Sequence, residues 1–444
     1  MTDLRHTRFP EHGRSPEAIV EALADMGSGD ADWRSGRTWS LVYSAGTAHD
    51  AVLVDAYRRY ASENALSPSA FPSLARMERE VVGALLELLG ADLTRAGGTM
   101  ASGGTESIIL AVKAYRDSAL VHEPNMVLPS TAHPAFVKAG QLLGVRTVVV
   151  PVGADLVADP EAMRQVVDDR TILVAASAPA FPYGLVDPIR ELASLAGERG
   201  IGLHVDACLG AFVLPILREL GHSVPPFDFT VDGVTSISAD LHKYGYGPKG
   251  SSAILYADRR LRRAQFTAHT GWPGGALASP TLLGTRPGGV IAAAWAGINH
   301  IGAHGYREIF ASVMETTARL RAGIEQIGDL KVIGDPPMCV LAFGSAQRDV
   351  FAMAERLEGS GWRIDRQSDP DCLHLIVNPV HSGVVEEFLG DLADAFDQAP
   401  AASDGRESAV VYGVSSHVPA GGDLGEAIIE AIEAHYDEGP SRWD

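Results

Sequence analysis

A lysine set between two apolar-alternating runs is an unusual place for a cation. Lys243 sits there in DGVTSISADLHKYGYGPKGSSAILY, residues 232–256, with Val234 and Ile237 before it and Ala253 to Tyr256 after it. Lysines are rarely buried unless paired, and burial lowers their pKa toward the neutral amine that attacks carbonyls. Lys243 is therefore a Schiff-base candidate, although a solvated turn lysine would share the same neighbours. Upstream, GIGLHVDACLG (200–210) alternates Ile201, Leu203, Val205 and Ala207 with Gly202, His204, Asp206 and Cys208, which is a strand pattern. Asp206 falls near the carboxyl end of that strand, where open α/β sheets take their ligands. It lies 37 positions before Lys243. An Asp that only caps the following turn fits the same place.

A carboxylate and a lysine on successive sheet elements is the arrangement that pyridoxal 5'-phosphate (PLP) needs. The lysine forms the Schiff base, and the carboxylate keeps the ring nitrogen protonated so that the ring accepts electrons. Upstream again, Ala101-Ser102-Gly103-Gly104-Thr105-Glu106-Ser107 runs into Ile108, Ile109, Val112 and Tyr115 at helical spacing. A glycine-rich turn that opens a helix lets backbone N–H groups approach an anion, and the helix dipole favours it.

HVDACLGAF and SADLHKYGYGPKGSS, together with ENALSPSAFPSLARMERE, TMASGGTESIILAVKAYRD, TAHPAFVKA, SAPAFPYGLVDPI and GWPGGALASPTLLGTRPG in this order, resemble the sphingosine-1-phosphate lyase family within the wider PLP-dependent group II decarboxylase class. The resemblance runs from about Thr38 to the C-terminal region and is densest between Asn64 and Gly289. It implies the fold type I architecture of PLP enzymes (aspartate aminotransferase-like): a central, mostly parallel seven-stranded α/β sheet with a smaller α+β C-terminal domain. It makes Lys243 the Schiff-base lysine and Asp206 the partner of the pyridine nitrogen. His133 would stack on the ring, Ala178 would pack on its other face, and His242 would touch the phosphate held by Gly103, Gly104 and Thr105. Thr285 would reach the cofactor phosphate of a neighbouring subunit, which implies a homodimer. Tyr183 matches a family tyrosine near the substrate, and a buried loop aromatic is the alternative. Tyr43 and Lys249 match the substrate-phosphate site.

The family's reaction is retro-aldol cleavage of a β-hydroxy amine, phosphorylated or not, to an aldehyde and an ethanolamine-type amine. Related enzymes lose carbon dioxide instead, so an amino-acid decarboxylase is the alternative. A non-catalytic PLP-fold binding protein would not require Asp206, His133, His242 and Lys243 together. Three departures touch the substrate side. The family's tyrosine-histidine-glycine reads Tyr43-Ser44-Ala45-Gly46, a phosphate-binding histidine is Ser67, and a leucine-tyrosine pair is Ala276-Leu277. Loss of one charge-assisted hydrogen bond to a phosphate forfeits about 1–3 kcal/mol.

Composition narrows the setting. The chain has 444 residues, 46% of them hydrophobic, and a formal charge of −20 from 36 basic and 56 acidic side chains. That balance argues against nucleic-acid or anionic-membrane binding, which need clustered cations. Cys208, Cys339 and Cys372 are far apart and without metal-ligand spacing, so a reducing, cytoplasmic setting and no metal site are expected. No signal peptide or spanning stretch is read. The family's eukaryotic members carry a membrane anchor, and this chain is expected to be a soluble, bacterial-type member.

The expected organisation has three parts: an N-terminal arm (1–70) of the sort that wraps a partner subunit, a large PLP-binding domain (71–305), and a small α+β domain (306–444). Helices are expected over Pro16–Met26, Asp50–Tyr60, Pro72–Leu89, the stretch after Gly104, Ala135–Leu143, Pro160–Val167 and Pro188–Arg199. Strands are expected over Met126–Leu128, Thr147–Val150, Thr171–Ala176, Gly202–Ala207, Val234–Ile237 and Ser252–Tyr256. Strand–helix alternation of this kind means a mainly parallel sheet covered on both faces. Gly271–Gly289 reads as a long functional loop, followed by helices Val290–Tyr306 and Glu308–Ala322. Strands Leu330–Ile333, Val340–Phe343 and Leu373–Val377 and helices Val350–Gly359, Val384–Asp397 and Leu424–Tyr436 complete the chain.

Overall fold

The computed structural model describes residues 9–402 and, beyond them, only 408–410, 417–419, 426, 428–430 and 433. Most of the helix expected over Leu424–Tyr436 lies outside the described residues. Helices α1 (Pro16–Met26), α2 (Thr47–Arg59) and α3 (Pro72–Leu88) come first. In α3 a proline opens the first turn, and Leu74, Val81, Val82, Leu85 and Leu86 bury one face, as the spacing of apolar residues requires. The alternating part follows as β1 (Gly97–Ala101), α4 (Gly104–Ser118), β2 (Asn125–Pro129), α5 (Ala135–Leu143), β3 (Arg146–Val150), α6 (Pro160–Val166), β4 (Thr171–Ser177), α7 (Ile189–Arg199), β5 (Gly202–Asp206), α8 (Gly210–Glu219), β6 (Ser236–Ala239) and β7 (Ser252–Tyr256).

These seven strands form one sheet in the order β1-β7-β6-β5-β4-β2-β3. β2 to β6 are mutually parallel, and β7 runs antiparallel to both β6 and β1. β2, β4, β5, β6 and β7 are buried along their whole length, the mark of a sheet covered on both faces. Register brings functional ends level: Ser177 pairs with Asp206, and Asp206 with Ser238. The carboxyl ends of β4, β5 and β6 therefore finish at one edge. Ala239 pairs with Ala253, and Ala101 with Ser252, so the turn after β1 reaches the same edge.

Several elements differ from expectation. β1 was not anticipated because GGTMA carries two glycines, which are poor strand formers. Here they are required: a Cβ on Gly98 would come within 2.7 Å of Leu255 and 2.9 Å of Val82. β6 lies two residues later than expected, since Gly233 turns at φ +99° and the Val234 N–H bonds back to Val231. α8 and α9 (Arg259–Gln265) were not anticipated either. Part of the Gly271–Gly289 loop is a hairpin strand, with β8 (Thr267–His269) paired to β9 (Leu277–Ser279). The two helices expected after it do form, as the two parts of α10 (Gly288–Ile324), but they divide at Gly302, with φ 63° and ψ 171°, and not after Tyr306.

The C-terminal part holds β10 (Lys331–Val332), β11 (Val340–Gly344), α11 (Val350–Gly359), β12 (Asp365–Gln367), β13 (Cys372–Ile376) and α12 (Val385–Gln398). Its antiparallel sheet has the order β10-β11-β13-β12. The N-terminal segment is braced against it within the same chain. Thr38 bridges Arg363, and Trp39 exchanges backbone bonds with Arg363 and Ile376. The Trp39 ring, wholly buried, lies 4.2 Å from His381, 4.6 Å from Phe388 and 5.9 Å from Trp362 between centroids. No helix among the described residues is long and apolar enough to cross a membrane.

Two outcomes follow from this brace. Trp39→Ala is expected to lower the unfolding free energy by about 3–5 kcal/mol in chemical denaturation, and a loss under about 1 kcal/mol would mean the ring anchors nothing. His381 accepts the Asn378 N–H at Nδ1 and donates from Nε2 to the Thr38 carbonyl, so a second proton has no place. Burial holds its pKa down at about 4 against an ordinary 6.5. Its contribution is thus complete above pH 6.5 and is lost as pH falls toward and through 4. Denaturation midpoints should decline across that window, and less steeply in His381→Asn.

Candidate active site

The β6–β7 turn carries the densest charge. Lys243 Nζ lies 3.1 Å from Asp240 Oδ2, and His242 Nε2 lies 3.7 Å from the same oxygen. Asp240 is 1% exposed and Lys243 22%. Burial by itself would push the Lys243 ammonium down. The Asp240 carboxylate, with weaker contributions from Cys208, Tyr43 and Asp206, raises it well above the ordinary lysine value instead. The expectation of a burial-depressed lysine is corrected here, because the charge is paired in place. The same pairing holds Asp240 below the usual carboxylate range against the cost of its burial.

β5 ends at Asp206, 8% exposed, where Oδ1 accepts the Cys208 N–H at 3.0 Å. Its backbone carbonyl accepts the Ala178 N–H at 2.8 Å, which fixes the wholly buried Ala178 beside it. His133 follows β2 and accepts the Ala135 N–H at Nδ1, leaving its proton on Nε2 when neutral. Burial lowers the His133 pKa, Asp206 and Asp240 oppose that, and Lys243 adds to it. Each of these charges is therefore felt at one ring, and Lys243, Asp206, His133 and His242 share one place.

The turn after β1 closes the site from the other side. No side chain caps the N-terminus of α4 at Gly103. A Cβ on Gly104 would lie 2.9 Å from both Asp240 Oδ2 and Cys208 Sγ, and one on Gly103 would lie 3.8 Å from the His242 ring. Thr105 is half-buried in the first turn. Glu106 fastens the turn, accepting the Ser102 N–H at 2.6 Å and the Leu282 N–H at 2.9 Å. These residues fit PLP. The uncapped helix start suits a phosphate, Asp206 suits a protonated ring nitrogen, and Lys243 suits the aldehyde.

The remaining expected residues are spread more widely. Lys249 Nζ donates to the Leu41 carbonyl at 2.6 Å and stands 5.3 Å from the Tyr43 ring centroid, so Tyr43 and Lys249 meet. Partial burial and the Lys243 charge push the Lys249 ammonium down. Tyr183 is buried at the seam with the C-terminal sheet, beside Leu185, Ala342 and Cys372, and its hydroxyl donates to the Asp369 carbonyl at 2.5 Å. Thr285 is exposed and accepts from Asn64 at 3.4 Å. Ser67 is half-buried beside Ser69. Leu277 is 42% exposed on β9.

Sequence reasoning passed over Asp240, although a carboxylate three residues before a candidate lysine was a readable signal. It also passed over a buried polar row beneath Asp206. His204 contacts Ser236 at 2.7 Å and Ser238 at 3.1 Å, and the Ser107 hydroxyl lies 2.8 Å from that of Ser238 and 2.9 Å from the Gly104 carbonyl. Strand alternation placed His204 on the Asp206 face. Cys208, Cys339 and Cys372 are all free and buried, and no metal-holding cluster occurs among the described residues.

The pyridoxal-dependent decarboxylase conserved domain matches residues 1–345. A sphingosine-1-phosphate lyase of Oryza sativa subsp. japonica is 41% identical over 443 residues, covering 96% of this chain and 81% of that protein. A probable L-aspartate decarboxylase of Pyrococcus abyssi is 33% identical over 389 residues, covering 87% and 99%. The solved structure of a sphingosine-1-phosphate lyase from Burkholderia pseudomallei K96243 superposes with a TM-score of 0.86 at 38% identity, covering 88% of this chain and 93% of that one. Likeness of this extent, on a sheet whose strand ends gather a lysine, two carboxylates and two histidines, shows that the chain belongs to the sphingosine-1-phosphate lyase family of pyridoxal-dependent decarboxylases and is a PLP-dependent lyase.

Proposed function

We propose that the chain cleaves sphingosine 1-phosphate, or a phosphorylated β-hydroxy amine close to it, between the carbons bearing the amine and the hydroxyl. The hydroxyl proton leaves its oxygen, the carbon–carbon bond breaks to release an aldehyde, and a proton is returned to the amine-bearing carbon of the second product, a phosphorylated amine. What carries this reading is the joining of Lys243, Asp206 and His133 at one sheet edge in a chain of this family.

PLP supplies the electron sink for the pair released by the broken bond. Lys243 is the residue for its Schiff base, and Asp206 supplies the negative charge that keeps a ring nitrogen protonated. His133 covers one face and Ala178 the other, which keeps water from the reacting atoms. The Gly103–Thr105 turn and His242 take the cofactor phosphate, with Thr285 from a neighbouring subunit. Tyr43 and Lys249 face the substrate phosphate, while Ser67 and Leu277 stand where relatives of the family carry larger polar groups. Tyr183 shapes the pocket wall from the domain seam.

A homodimer fits this division of labour. Phe266, Trp272, Leu277, Leu282 and Leu283 are each 41–57% exposed along one segment, and large apolar groups left together on a surface favour a protein partner. The arm (1–70), cofactor domain (71–305) and C-terminal domain (306–444) remain the proposed division. The three buried thiols suit a reducing cytoplasm.

Incubation of the PLP-loaded protein with sphingosine 1-phosphate is expected to yield a long-chain aldehyde, and Lys243→Ala to yield none. Carbon dioxide from an amino-acid panel, with no aldehyde from any β-hydroxy amine, would favour the decarboxylase. Borohydride reduction and peptide mapping should place the cofactor label on Lys243. On dilution the protein should stay dimeric, and Trp272→Glu with Leu283→Glu should shift it toward monomers that lose bound PLP. A stable monomer that retains its full cofactor load would count against the shared site.

A further inference from the structure

Asp240 carries the most deeply buried charge of the site, with 1% of its side chain exposed. Its Oδ2 contacts Lys243 Nζ at 3.1 Å and stands 3.7 Å from His242 Nε2. Its Oδ1 has no hydrogen-bond partner among the described residues. The opening of α4 packs directly on it, since a Cβ on Gly104 would lie 2.9 Å and 3.1 Å from the two oxygens. His242 spends Nδ1–H on the Ser251 carbonyl at 2.8 Å, so its other edge is the one turned to Asp240. A buried carboxylate with one orphaned oxygen is costly unless a cation stays beside it.

We propose that Asp240 is a positioning residue: its buried carboxylate is the counter-ion that keeps the proton on the Lys243 nitrogen, both when the lysine is free and when it is joined to PLP. This rests on Lys243 being the Schiff-base lysine. The groups whose charge bears on the pair are His242 and Lys249 from the same turn, Asp206 and Cys208 from the end of β5, His133 from the end of β2, and Tyr43 from the segment after Trp39. Asp206 works in the same direction as Asp240, and Lys249 against it. Asp240 alone of these is in ion-pair contact with Nζ. A lysine displaced by substrate would then wait as an ammonium, a proton donor that does not compete as a nucleophile.

The test is Asp240→Asn, which removes the charge at nearly constant size. In the PLP-loaded protein the pH midpoint of the cofactor's visible band should fall by about 1–3 pH units, the range for loss of an adjacent opposite charge. Asp240→Glu should recover part of it. A midpoint unmoved in folded Asp240→Asn overturns the proposal. The wild-type apoprotein gives an independent measurement should the variants not fold. Capture of Lys243 by pyridoxal and borohydride, read by peptide mapping, should keep accelerating about tenfold per pH unit up to pH ~9, as for an amine still protonated there. A plateau below that pH overturns the proposal. Label on another lysine defeats the Schiff-base assignment together with the inference, whereas label on Lys243 with an early plateau or an unmoved midpoint defeats the inference alone.

Discussion

One cation and two carboxylates share a poorly solvated space at the carboxyl edge of the sheet. Lys243 and Asp240 are each costly there alone, because desolvation opposes the charge of both. Lys243 keeps its proton because Asp240 lies 3.1 Å away, and Asp240 keeps its charge because Lys243 and His242 oppose its burial. Every other feature of the site depends on strands of the right length ending at the right level. Ser177, Asp206 and Ser238 sit opposite one another across β4, β5 and β6. A slip of one residue in any pair would turn Asp206 to the other face of the sheet.

The surrounding structure holds these ends still. Glu78 accepts from both the Met100 N–H and the Arg286 guanidinium, so α3, β1 and the segment before α10 are tied by one carboxylate. Glu106 ties the turn before α4 to Leu282 in the same way. Below the sheet edge, the His204, Ser236, Ser238 and Ser107 contacts join β5 and β6 to the start of α4. Burial keeps His204 neutral, with a pKa of about 4, which suits a group whose two nitrogens are spent on hydroxyls. The cofactor-facing machinery thus stands on rigid elements, as catalytic geometry requires.

The proposed substrate side is built differently. Tyr43 and Lys249 meet only because the segment after Trp39 crosses from the C-terminal sheet to the β6–β7 turn, where Leu41, at φ +68°, offers its carbonyl to Lys249. Ser67 lies on a turn and Leu277 on a hairpin. Loops set on a fixed scaffold are where relatives diverge in what they bind, and Ser67 and Leu277 are two of the positions at which this chain differs from the family pattern.

Much of this was legible in the linear chain. Alternation and helical spacing located most of the central strands and helices, because burial of one face or both imposes a period that local residue types must obey. Asp206, Lys243 and the Gly103–Gly104 turn stood out since few residue types do their chemistry. What linear reading passed over were elements that violate local preference for the sake of packing: β1 with its two glycines and α8 with Pro215 inside it. Tyr183 shows the limit at a single residue, since only the folded chain brings Asp369 to its hydroxyl. The protonation of Lys243 shows it for the chemistry. Amino-acid order determined that an amine would stand between two buried strands. Tertiary structure decided that it stands there charged, because electrostatic energy depends on distances of a few ångströms in a low-dielectric interior, and those exist only once strands, turn and helix have closed around it.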